Sequence, residues 1–145
     1  SHVGQALTNT LKKTPFDIHL IDQREEWIEH QDLHPEITKD KRDPENIIKC
    51  SPWNKKTSFA LIMTHSHQLD YKLLSLLLKK PLSYVGLIGS QTKWLKFKKK
   101  LQDDGLSKED IEKVYCPIGL PIGGKSPQEI AISVSAQLLK LWHQT

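Results

Sequence analysis

The chain has 145 residues, 21 Lys and Arg against 17 Asp and Glu for a formal net charge of +4, and a hydrophobic content of 37%. That length fits one domain with a core able to stand without staples, and two cysteines, Cys50 and Cys116, exclude a disulfide framework. Apolar runs are short, with 73–78 already broken by Ser75, so the pattern excludes a membrane-spanning helix.

In chain order, Val3, Ala6, Leu7 and Leu11 share one face of a helix predicted over 3–13, which Thr14-Pro15 ends. A strand is expected over 16–21, stopping at Asp22-Gln23-Arg24. From Glu25 to Pro44 the composition turns polar, with Asp40-Lys41-Arg42-Asp43-Pro44 read as a turn or loop. Residues 46–50 form a short strand candidate closed by Ser51-Pro52. Phe59-Ala60-Leu61-Ile62-Met63 reads as a strand buried on both faces, followed by a helix over 69–80 that Pro81 stops. Tyr84-Val85-Gly86-Leu87-Ile88 is a second buried strand.

A Lys-rich helix to Gln102 follows, with Asp103-Asp104-Gly105 as its end. Trp94, Phe97 and Leu101 form its apolar stripe, which leaves the lysines of 93–100 on the other faces. They are read as a solvated helix face in preference to a phosphate or nucleic-acid patch. Ser107-Lys108-Glu109-Asp110 caps a short helical turn, and 114–116 is a short strand. The last helix has the clearest start in the chain: Ser126 at the N-cap, Pro127 at the first helical position and Glu129 at the capping-box position. Ile130, Val134, Leu138 and Leu141 mark its buried stripe.

Buried strands alternating with helices predict an α/β fold, Rossmann-like, with a parallel sheet and helices on both faces. Ligands of such sheets bind beyond the carboxyl ends of the strands, so the residues just after strands carry the functional reading. Asp22 stands 18 positions after Gly4, where an acidic side chain would bond ribose hydroxyls, and Arg24 could modify that preference. The alternative for Asp22 is a carboxylate capping the next turn. Thr64-His65-Ser66-His67-Gln68-Leu69-Asp70 follows the central strand. His65, His67 and Asp70 invite a metal, but the pattern departs from known metal-hydrolase spacing. The preferred reading gives His65 and His67 to hydrogen bonding at the cleft and Asp70 to capping the helix.

Gly89 and Ser90 form a strand-to-helix turn suited to an anion, with Lys93 one turn on, within reach of the same anion. Gly119 and Gly123 lie in a Gly/Pro-rich stretch read either as backbone exposed to a ligand or as a plain connector. Cys50 and Cys116 are expected to be small buried residues, and such sparse usage suits a reducing, cytoplasmic setting.

Together, His2-Val3-Gly4-Gln5-Ala6-Leu7, Asp22-Gln23-Arg24, the 64–70 segment, Gly86-Leu87-Ile88-Gly89-Ser90-Gln91-Thr92-Lys93, the 117–123 segment and the 127–136 segment resemble a known family. The chain resembles the C-terminal Rossmann-like domain of the xanthine dehydrogenase accessory proteins of the XdhC/CoxI type, over nearly its whole length. That resemblance implies a maturation factor that binds molybdenum cofactor (molybdopterin), protects its sulfurated form and delivers it to xanthine dehydrogenase or a related molybdenum hydroxylase. It further implies a cysteine desulfurase as a second partner and allows a homodimer, with no nucleic-acid or membrane partner. The implied ligand-binding residues are His2, Gly4, Asp22, Arg24, Thr64, His65, His67, Asp70, Gly89, Ser90, Lys93, Gly119 and Gly123, with no catalytic nucleophile and no metal ligand among them.

Two departures from the family pattern stand out. Its glycine loop usually reads Gly-Ala-Gly-His-Val-Gly after an apolar strand, whereas here Ser1 takes the second glycine's place and only Gly4 is retained. The expected architecture for 1–145 is therefore one Rossmann-like domain that starts inside its ligand loop, without its first strand. Gln137 stands where the family commonly has Glu. The alternative function is an NAD-dependent oxidoreductase or another nucleotide enzyme using the same cleft.

Overall fold

The structure, a computed structural model, describes residues 2–24 and 37–144, so most of the polar stretch after Arg24 lies outside the described residues. The chain divides into two compact units, one formed by Ser1–Ile47 with Gly119–Thr145 and the other by Ile48–Ile118.

In the first unit, helix α1 (His2–Leu11) buries Leu7 and Leu11 as expected, but Gly4 and Thr8 join them in an i, i+3, i+4, i+7 face while Val3 and Ala6 are only partly covered. Strands β1 (His19–Ile21) and β2 (Thr38–Asp40) pair in parallel, with His19 opposite Thr38 and Ile21 opposite Asp40. The expected strand over 16–21 is shorter in the structure, because its partner β2 is itself only three residues long. Helix α6 (Pro127–His143) begins as the sequence predicts: Ser126 accepts from the Glu129 amide, and Glu129 accepts in turn from the Ser126 amide. It packs on α1, burying Ala131, Ser133, Val134, Ser135 and Leu138. The Phe16 and Trp142 rings meet edge to face at 5.5 Å.

The segment leading into α6 is tied to it at Gly119. Gln137 Oε1 accepts from the Gly119 amide at 2.9 Å, and Gln137 Nε2 donates to the Gly119 carbonyl at 3.4 Å. A primary amide can do both, whereas a carboxylate can only accept. Gly119 sits at φ +93°, and a Cβ there would collide with Ser133 Oγ.

Helix α2 (Pro44–Cys50) corrects the strand expected at 46–50. Pro44 occupies the first helical position, and the Asp43 carboxylate accepts from the Glu45 amide at 3.0 Å, a start signal that outweighs the β-branched pair Ile47-Ile48. Cys50 ends this helix exposed, contrary to the buried position expected, because the helix turns Ile48 inward instead.

In the second unit, β3 (Phe59–Ile62), β4 (Tyr84–Leu87) and β5 (Val114–Tyr115) form a parallel sheet in the order β3-β4-β5. Every residue of β4 is buried, as expected for the middle strand. In β3 only Ile62 is buried, a correction to the sequence reading, because β4 is its one pairing partner among the described residues. Helix α3 (His67–Leu77) contributes Leu74, fully buried, with Tyr71, Leu73 and Leu77 to a core shared with Leu78, Val85, Leu87 and Leu101. Helices α4 (Gln91–Asp103) and α5 (Lys108–Ile111) complete the unit, Leu101 and Ile111 being their buried contributions. The Trp53 indole N–H anchors to the Ile48 carbonyl at 2.7 Å.

Gly119→Ala and Gly123→Ala separate conformation from packing, since Gly123 has φ +96° but nothing within 4 Å of its missing Cβ. Both are expected to lose about 1–2 kcal/mol from the left-handed backbone. Gly119→Ala should lose roughly 1–3 kcal/mol more through the Ser133 clash, read from urea midpoints.

Candidate functional site

The loops that follow β3 and β4 border an open cleft of about 360 Å³ in the second unit. Thr64, His65, His67, Asp70, Ile88, Gly89, Ser90 and Lys93 line it. Both loops run into helices capped by serine. Ser66 accepts from the Leu69 amide at the start of α3, and Ser90 accepts from the Lys93 amide at the start of α4, each at 3.2 Å. The first-turn amides of two helices thus border one concavity.

The cap of α3 is Ser66, which corrects the expectation for Asp70. The helix begins two residues earlier than its apolar pattern suggests, and Asp70, in its first turn, gives its side chain to other partners. Its side chain is 1% exposed, with Oδ1 accepting from the Thr64 amide at 3.0 Å and from the Thr64 hydroxyl at 2.7 Å. Oδ2 accepts from Lys93 Nζ at 2.8 Å, and the same ammonium donates to the Ile88 carbonyl at 2.9 Å. Lys93 is itself only 10% exposed. The lysine expected to reach an anion is therefore committed to an internal carboxylate.

Gly89 serves this arrangement. It lies at φ +153°, and a Cβ there would stand 2.5 Å from Lys93 Cδ, so the lysine stem can pass over it only because the side chain is absent. Beneath the same turn, Cys116 Sγ lies 3.7 Å from the Gly89 carbonyl oxygen. Burial pushes the Cys116 thiol above its ordinary range, and the opposing influence of Lys93 does not offset that, so Cys116 has the character of a packed thiol. His65 and His67 are exposed at the rim, and the His67 ring meets Phe97 edge to face at 6.4 Å. With Asp70 engaged by Thr64 and Lys93, the carboxylate does not pair with these imidazoles. Among the described residues no three His, Cys, Asp or Glu side chains are grouped as metal ligands.

The other residues singled out in the sequence belong to the first unit. His2 is exposed and Gly4 buried in the first turn of α1. Asp22 follows β1 and is held by Arg24 through its backbone amide and Nε, each 3.0 Å from Oδ1, and through Nη2, 2.7 Å from Oδ2. Partial burial would raise the Asp22 carboxyl, but the bonds from Arg24 outweigh it and hold it below the usual carboxylate range. Asp22 and Arg24 thus act as one unit.

A similar contact recurs at the last residue of β2, and sequence reasoning missed it. Arg42 bonds Asp40 through its amide and Nε, each 3.0 Å from Oδ1, and through Nη2 to Oδ2 at 2.6 Å. The available signal was an Asp-x-Arg triplet repeated at the ends of two short strands, but the second copy resembled turn composition.

Comparison with known proteins came to the same family. The profile of the XdhC Rossmann domain matches residues 1–138. The chain is 29% identical over 140 residues to the uncharacterized protein YqeB of Escherichia coli (strain K12), covering 97% of this chain and 26% of that protein. It is 35% identical over 81 residues to a protein of Bacillus subtilis (strain 168) described as a probable xanthine dehydrogenase subunit, covering 56% of this chain and 22% of that protein. A crystal structure described as a xanthine dehydrogenase from Bacillus halodurans matches with a TM-score of 0.82 and 29% identity, over 99% of this chain and 40% of that one. The chain therefore spans about a quarter of the length of the curated relatives it matches. No described helix is long and apolar enough to cross a membrane.

Asp70→Asn leaves the Lys93 ammonium buried without a counter-charge and is expected to cost about 3–5 kcal/mol in urea unfolding. Adding Lys93→Met should recover most of that loss, because an apolar stem can keep its place over Gly89. A double variant no more stable than Asp70→Asn would contradict the pairing.

Proposed function

The chain belongs to the XdhC Rossmann-domain family, and from that premise we propose that it is the cofactor-handling module of a maturation factor for a molybdenum hydroxylase such as xanthine dehydrogenase. It binds molybdenum cofactor, or a nucleotide-like ligand, in the cleft beyond β3 and β4, and works by binding and transfer. The observation that supports this reading most directly is the cleft itself, an open concavity at two strand carboxyl ends, bordered by two serine-capped helix starts.

The residues present fit a phosphorylated pterin. The first-turn amides at Ser90 and the positive end of α4 suit its phosphate, while the exposed imidazoles of His65 and His67 suit its polar ring edge. The Asp70–Lys93 pair is internally neutralised and adds little net charge, so recognition would rest on directed hydrogen bonds. The bound cofactor supplies redox chemistry to its eventual client. This chain's residues hold it and leave one face open for transfer.

Ser90→Asp tests the assignment, because aspartate is as good an N-cap as serine yet sets a negative charge where the phosphate is expected. Titration of the chain with purified molybdopterin, followed by ligand fluorescence, should show binding that the variant weakens at least about tenfold, with the melting temperature unchanged. Absence of binding by the unaltered chain, or equal binding by Ser90→Asp, would overturn the cleft assignment. A response to NAD alone would favour the nucleotide-enzyme alternative.

A further inference from the structure

Helix α4 carries five lysines, and only Lys93 lines the cleft. Lys93 is engaged by Asp70, and Lys100 stands over the Tyr71 ring, 4.3 Å from its centre. Trp94, Phe97 and Leu101 turn towards the core of the second unit, with Leu101 fully buried. At about 100° per residue, the opposite side of the helix is centred on Leu95, which is 57% exposed. Lys98 and Lys99 follow it at i+3 and i+4 and share its face, and Lys96 borders them; all three are exposed. None of the three pairs with a carboxylate among the described residues.

A helix face that serves solvation alone is built differently. Its lysines are interleaved with glutamates at i, i+4, which support the helix, whereas like charges at that spacing weaken it. Residues 91–102 contain no acidic side chain, and Lys96 stands at i, i+3 from Lys99 and at i, i+4 from Lys100. The first carboxylates, Asp103 and Asp104, come only at the C-terminal end, where Asp104 accepts from the Tyr71 hydroxyl at 2.6 Å. The lysines therefore repel one another, and a partner bearing carboxylates would relieve that repulsion.

The surroundings of the lysines distinguish the kind of partner. Single-stranded nucleic acid is held by stacking on exposed aromatic or arginine planes, but Trp94 and Phe97 pack against the core and the helix has no arginine. A helix that lies in a lipid surface needs a continuous apolar face of its own. Here the apolar stripe is taken up by the core, which leaves Leu95 alone among lysines. A protein segment matches both elements, with one apolar side chain to cover Leu95 and carboxylates beside it for the cations. The face also begins next to the cleft. Ser90, the N-cap of α4, lines the cleft, and Leu95 follows five residues later, about 7.5 Å along the helix axis.

We propose that the face of α4 formed by Leu95, Lys96, Lys98 and Lys99 is a docking surface for an acidic protein segment, one that sets carboxylates on either side of an apolar residue. Leu95 is the anchor, and the lysines fix orientation and speed encounter. That the docked partner receives what the cleft holds rests on the function proposed above; the docking itself does not.

The probe is a fluorescein-labelled peptide of roughly 20 residues, long enough to hold a helix in water, built from Glu, Ala and Leu with one leucine stripe flanked by glutamates. Its anisotropy during titration with the chain should report binding that weakens as salt is raised. Lys98→Glu/Lys99→Glu should lower the affinity at least about tenfold, and should bind instead a peptide whose glutamates are replaced by lysine. Leu95→Ser, with every lysine kept, should lower the affinity about threefold or more. No binding of the acidic peptide would overturn the proposal. So would an unaltered affinity in Leu95→Ser, or in a Lys98→Glu/Lys99→Glu variant with an unchanged circular dichroism spectrum. Tighter binding of single-stranded DNA or of phosphatidylserine vesicles than of the peptide would assign the face to a different partner and overturn it as well. Molybdopterin titration of Lys98→Glu/Lys99→Glu should match that of the unaltered chain, so this surface and the cleft assignment can fail separately.

Discussion

Lys93 reaches back from the first turn of α4, across a glycine, to a carboxylate in the first turn of α3, and the cleft of the second unit depends on that one contact. The pair joins the loop after β3 to the loop after β4, since Asp70 also holds the Thr64 amide and Lys93 also holds the Ile88 carbonyl. Burying two charges is unfavourable unless geometry and further hydrogen bonds compensate for lost hydration. Here both conditions hold, and four groups from two strand ends are satisfied together. The pair therefore acts mainly to fix where two helices begin, which determines where their first-turn amides point.

That dependence changes the meaning of residues that looked like separate ligand contacts. Gly89 and Lys93 are parts of one arrangement, because the lysine stem occupies the space a side chain at Gly89 would need. Gly119 is explained in the same way within the first unit, where Ser133 and Gln137 press against it. Gln137, the departure from the usual family glutamate, matters through its amide, which matches both the donor and the acceptor of Gly119. A glycine that must be glycine for packing offers weaker support for a ligand than one whose surroundings are open.

Local signals were legible where chain chemistry alone decides. Ser126-Pro127-Gln128-Glu129 announces α6 because both halves of its capping box lie within four residues, and the all-buried run of β4 announces the middle of a sheet. The strand expected at 46–50 failed because β-branched residues were weighed above the Asp43-Pro44 helix start. The role of Asp70 was illegible for another reason: its partner lies 23 residues away, and only folding brings the two together. The same applies to the first unit's short strands. Each Asp–Arg contact beside them is local, but the parallel pairing of β1 with β2 is encoded by no pattern within either segment.

The net charge of +4 tells correspondingly little about ligand choice. Three of the cations nearest the strand ends, Lys93, Arg24 and Arg42, each sit in contact with a carboxylate of the same unit. What differs is which partner is covered. At Asp70–Lys93 both are buried, the charges largely cancel, and the effect is to set loop positions. At the two Asp–Arg pairs the carboxylate is the more covered partner and the guanidinium the more exposed one. At short range a ligand responds to such local arrangements far more than to a total charge screened over about 8 Å at physiological salt. Two ion pairs of equal formal charge can thus differ in kind, one shut away to hold a cleft in shape and the other lying nearer the surface, and burial decides between them.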